Sequence, residues 1–130
     1  MFSLADLEGK VSPHQLQVKG ALRMRAVALA YVKDVNALAA YIGGSAEEPV
    51  AGGDWAVNKE MYPGVVIHFV FTAGDSEFPD SLRALYGGDR IGTVQGDELA
   101  TITISAANQF LRFVRESNPG VQLPAVCYKV

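Results

Sequence analysis

Between Val65 and Thr72 almost every residue is apolar. An extended segment there puts Val65, Ile67, Phe69 and Phe71 on one face and Val66, His68, Val70 and Thr72 on the other. Two largely apolar faces predict a central strand with a neighbour on each side.

Helical spacing appears on both sides of that strand. Ser12-Pro13-His14-Gln15 has the form of a helix start, with a serine cap, proline at the first helical position and glutamine three residues after the cap. Met24, Ala28, Tyr31, Val35, Leu38 and Ile42 then recur at steps of four and three, which predicts one stripe ending at Gly43-Gly44. Asp34 is a possible cap of a separate short helix to Ile42, with a break near Val32 and Lys33, and Gly20 weakens the first part. A competing strand over Leu22 to Val27 rests on a brief alternation of apolar and charged residues. After Gly96-Asp97-Glu98, the residues Leu99, Ile102, Ala106, Phe110 and Phe113 predict a helix from about Asp97 to Glu116, which Asn118-Pro119-Gly120 ends. The β-branched run Thr101 to Ile104 suits a strand, but the stripe is too long for one.

Weaker patterns fill the remainder. Gly43 to Gly53 reads as a mobile loop, and Asp54 as the cap of a short helix from Trp55 to Glu60 that stops at Tyr62-Pro63-Gly64. A polar turn at Gly74 to Glu77 leads through Phe78-Pro79-Asp80 into a second short helix over Ser81 to Tyr86, stopped by Gly87-Gly88. Asp89 to Gln95 reads as a short edge strand, and Val121 to Val130, around Pro124, as an edge strand or an extended packing arm. The expected architecture is therefore a single α+β domain over residues 1–130, a small central sheet packed with two longer amphipathic helices.

Charge and composition narrow the partners. The net charge is -3, so no basic excess exists to neutralise a phosphate backbone, and nucleic acid is not an expected partner. Met1 to Lys10 carries Asp6 and Glu8 where an export signal needs a basic start and an unbroken apolar run, and no window reaches the length of a membrane span. With Cys127 the sole cysteine, no disulfide or thiolate cluster forms within the chain, which suits a reducing, cytoplasmic setting. The 49% hydrophobic content, together with two long apolar stripes, exceeds what one small sheet covers and predicts a homodimer.

Among residues with chemical potential, Asp75, Glu77 and Asp80 form the one compact acidic group, at the turn leaving the central strand. If their oxygens converge they suit a hard cation or a shared proton, with His68 as an acid–base partner; if they diverge they are turn and cap residues. His68 alone reads as a satisfied, semi-buried histidine, His14 as a first-turn residue and Cys127 as an inert packed thiol. The dipeptide Gly-Asp recurs at 53–54, 74–75, 88–89 and 96–97, which is turn and cap chemistry, and the sequence has neither a GxSxG elbow nor a phosphate loop.

Leu38-Ala39-Ala40-Tyr41-Ile42-Gly43-Gly44, Asp54, Tyr62-Pro63-Gly64, Gly74-Asp75-Ser76-Glu77-Phe78-Pro79 and Leu85-Tyr86 together resemble an uncharacterised prokaryotic family, domain of unknown function 3786. Gly-Asp-x-Glu-Phe-Pro is the most specific part, and the resemblance spans roughly residues 35 to 115. Members of that family are often described as iron–sulfur-associated, so the resemblance implies a redox or cofactor-handling partner; it assigns no functional residue. The expected function is a non-catalytic binding or interaction domain with no identified cofactor. The alternative is an enzyme built on Asp75, Glu77, Asp80 and His68.

Overall fold

The computed structural model describes residues 1–9, 12–50 and 52–130; Lys10, Val11 and Ala51, the last within the expected loop at Gly43 to Gly53, lie outside the described residues. In chain order the elements are α1 (Leu4–Glu8), α2 (Pro13–Leu29), α3 (Val35–Ile42), β1 (Ser45–Glu47), β2 (Trp55–Tyr62), β3 (Val65–Thr72), β4 (Ser81–Gly87) and α4 (Gly96–Ser117), with short 3-10 turns at Ile91–Thr93 and Ala125–Tyr128. The four strands form one antiparallel sheet in the order β1-β2-β3-β4, so the fold is α+β with a small sheet packed against helices.

β3 is flanked by β2 and β4 along its length, as its apolar pattern predicts. Ile67, Phe69 and Phe71 are buried beneath the helices, with the Phe69 ring edge-on to Phe110 of α4 at 4.7 Å. The opposite face is half-open at Val66, His68 and Thr72, but Val70 is buried. A side chain on Gly53 would sit 2.6 Å from Val70 Cγ1 and 2.8 Å from Pro49 Cβ, so the segment before β2 lies directly on Val70.

Three expected elements take another form. Trp55–Tyr62 is a strand, not a helix, because Pro63-Gly64, with Gly64 at φ 81, closes a two-residue hairpin turn that lays β2 against β3. Asp54 caps no helix: its N–H bonds to Phe71 O at 2.8 Å and its carboxylate accepts the Ala73 N–H at 2.6 Å, which pins the end of that hairpin. Ser81–Gly87 is likewise a strand. Its helix-favouring Leu-Arg-Ala-Leu run pairs with β3 from Thr72↔Ser81 to Val66↔Gly87, and that pairing outweighs local propensity. The loop expected between Gly43 and Gly53 contains the short strand β1, and the edge strand expected within Asp89 to Gln95 is a 3-10 turn.

The helices divide where Asp34 places the break. Its side chain accepts the Ala37 N–H at 3.1 Å, and α3 ends at Gly43 with φ 77. The interruption resets the helical phase, so the single stripe from Met24 to Ile42 does not exist. The core face of α2 is Val18, Leu22, Ala26 and Leu29, and Met24 points outward at 63% exposure. α4 buries all five residues of its expected stripe. The tail packs against its end as an arm without a strand: Arg115 donates to the carbonyls of Cys127 at 3.0 Å and Val130 at 2.6 Å, and Leu123 and Cys127 are buried.

Candidate binding groove at the edge of the sheet

The acidic turn folds inward upon itself. Asp75 Oδ1 accepts the N–H groups of Glu77 at 2.8 Å and Phe78 at 2.9 Å, and Asp80 Oδ1 accepts that of Gly74 at 2.7 Å. Those amides hold the Asp75 carboxyl below its ordinary value, the contribution of Glu77 being the largest. Two of the three carboxylates are thus bonded to the loop backbone, and His68 lies outside that loop, in the middle of β3. Among the described residues no group of three or more His, Cys, Asp or Glu side chains is placed to hold a metal ion.

Asp80 thus closes the loop at its base instead of capping a helix. Asp80→Ala is expected to lower stability by about 1 kcal/mol, the worth of one charge-assisted bond at a partly exposed site. Urea denaturation measures it.

His68 has a different partner, which sequence spacing did not reveal: its Nδ1 lies 2.6 Å from Glu47 Oε1. Ser45↔Asn58↔His68 pairing across three strands puts β1 and His68 on the same side, and the bond ties the end of β1 across β2 to the central strand. The pair Glu8–His14, at 3.0 Å, makes a similar tie between α1 and α2. Cys127 is buried, and burial raises its thiol pKa, opposing the thiolate that nucleophilic chemistry requires.

A concave feature lies elsewhere, along β4. β4 is an edge strand, and α1 and α2 lie beside it, leaving a groove of about 310 Å³ walled by Leu4, Val18 and Leu22 from the helices and by Leu82, Ala84 and Tyr86 from the strand. Lys19 and Arg83 stand at its margin and Gln15 within it. At one end Phe2 already behaves as a fifth strand one residue long: its N–H donates to Tyr86 O and its carbonyl accepts Tyr86 N–H, both at 2.7 Å. Since both main-chain groups of Tyr86 point away from β3, the alternation of an antiparallel ladder sends those of Ala84 and Leu82 the same way. Among the described residues β4 pairs with β3 and Phe2 alone, so these groups face the groove without a protein partner. Gln15 Oε1 is likewise buried without a hydrogen bond among the described residues.

Beneath this edge the structure is firm. Tyr86 is fully buried, and its hydroxyl lies 2.7 Å from Thr103 Oγ1, which itself donates to Leu99 O at 2.6 Å. The groove therefore has one wall braced against the core and one formed by α2 and the short α1, the latter held at its start by the reciprocal Ser3–Asp6 capping box. No helix of the described residues is long and apolar enough to cross a membrane. No protein-family model, no curated protein and no solved structure matches this chain.

Proposed function

We propose that this chain is a non-catalytic interaction domain that binds an extended peptide segment of a partner protein along the free edge of β4. The observation that carries the proposal is the outward-facing, unpaired main chain of Ala84 and Leu82 continuing the ladder that Phe2 begins at Tyr86. Strand addition takes its affinity from main-chain hydrogen bonds and its selectivity from pockets for alternate side chains. The groove floor is apolar, and Lys19 and Arg83 at its margin favour a segment bearing a carboxylate. The resemblance to family 3786 supports a redox or cofactor-handling protein as the source of that segment. Any cluster would then belong to the partner, in the reducing cytoplasmic setting that a lone cysteine suits. Homodimer formation belongs to the same proposal, supported by the exposed apolar face of α2.

Ala84→Pro tests the groove with little disturbance of the sheet, because the N–H it removes points away from β3 and proline is tolerated on an edge strand. Short random peptides displayed on phage are selected on the wild-type protein and measured on both proteins. Affinity is expected to fall at least about tenfold in the variant, one lost main-chain bond being worth about 1.4 kcal/mol with the ring also obstructing the edge. Amide shifts on titration are expected to cluster at residues 82–86. Equal affinity for both proteins, with shifts elsewhere, would dispose of the proposal.

A further inference from the structure

α2 has a second apolar face. Leu16 and Met24 are each 63% exposed and Val27 is 47% exposed; they share a stripe with Gly20, opposite the core-facing Val18, Leu22, Ala26 and Leu29. At Gly20 a side chain would meet nothing within 4 Å, so the centre of the stripe is a shallow dip between two long side chains. A mid-helix glycine costs roughly 1 kcal/mol relative to alanine, and nothing within the described residues uses the space it leaves. α2 contains no acidic residue, while Lys19 and Arg23 border the stripe.

The loop between β3 and β4 has the complementary character. Ala73 to Asp80 carries Asp75, Glu77 and Asp80 and no basic residue, and Phe78 stands out from it at 67% exposure beside Pro79. Asp75 and Asp80 hold this loop in one shape through three bonds to its main chain, so the backbone that carries Phe78 has little freedom left to lose on docking.

We infer that the chain self-associates head to tail, Phe78 of one copy seating over Gly20 between Leu16 and Met24 of another, with the acidic loop facing Lys19 and Arg23. Two copies pairing α2 against α2 would instead bring four basic side chains together without an acid between them, and like charges opposed across an interface are costly. The contact joins two different patches: it closes as a twofold, isologous dimer if both loops reach, and otherwise propagates head to tail as a chain. The area of one knob on one stripe is small, so the association is weak and salt-sensitive.

Sedimentation equilibrium with two surface variants tests this. The wild-type mass is expected to rise with concentration above the 13.9 kDa of the single chain, and to rise less in added salt. Phe78→Ser alone and Leu16→Lys with Met24→Lys alone are expected to stay monomeric, with melting temperatures unchanged because all three side chains are exposed. Mixed one to one, the two variants retain one intact face and one intact loop between them, and association is expected to return and to stop at a heterodimer. Wild type that remains monomeric at high concentration overturns the inference. So does a Phe78→Ser variant that associates like wild type, or a mixture of the two variants that shows no recovery.

Discussion

Phe110→Ala is expected to cost about 3–5 kcal/mol, the usual loss when a large aromatic is deleted from a packed core. Phe110 is 1% exposed, projects from the middle of α4 and meets Phe69 edge-on at 4.7 Å with ring planes at 76°. Those two rings are where the longest helix seats on the central strand, so truncation opens a cavity that the sheet on one side and α2 on the other cannot collapse to fill. A domain of this size has a total stability of about 5–15 kcal/mol. The variant is therefore expected to melt at least about 10 °C lower by calorimetry. A change near zero would show that α4 does not face the sheet through this residue.

Just past the end of β4, a single added methyl group is expected to be nearly as damaging. Gly88 adopts φ 101, which residues with a side chain rarely take, and a Cβ there would stand 2.7 Å from the carbonyl carbon of Gly64 and 3.2 Å from Val65 N. Both are main-chain atoms in the turn between β2 and β3, where Gly64 O also accepts the Arg90 N–H at 2.8 Å. Relief requires one turn to move off the other, and backbone strain of this kind costs about 1–3 kcal/mol before the clash is added. Gly88→Ala is accordingly expected to lose about 3 kcal/mol in urea denaturation. Gly92→Ala, with an ordinary φ and open space around its Cα, is expected to be neutral or slightly stabilising. Equal behaviour of the two variants would remove the argument from close approach.

The helices and strands that sequence patterns predicted correctly are those whose partners matter least to the local signal. β3 is apolar on both faces, α4 holds one stripe for about four turns, and Asp34 starts α3 with its own side chain. The sequence of β2 and β4 points to helix because Trp55–Tyr62 and Ser81–Gly87 contain residues that favour helix locally; only pairing with β3 makes them strands. The hairpin turn at Pro63-Gly64 was the one signal available for β2. The chemistry of the acidic turn was half legible. Gly-Asp and the neighbouring acids announced turn geometry, but whether the carboxylates converge or bond to the loop depends on three hydrogen bonds that spacing does not specify.

What the residues by themselves determined is an α+β domain with one dominant central strand, one dominant helix, and a single cysteine that precludes an internal cluster. Burial periodicity and composition are properties of the chain alone, and they survive into the fold because the hydrophobic effect acts on each segment in the same way whatever it packs against. Strand order, the open main chain of β4, the Glu47–His68 tie and the exposure of Leu16, Met24 and Phe78 were decided by the tertiary structure. Each depends on which segments meet, and a strand acquires a free edge, or a helix a bare face, only when its neighbours have taken their places.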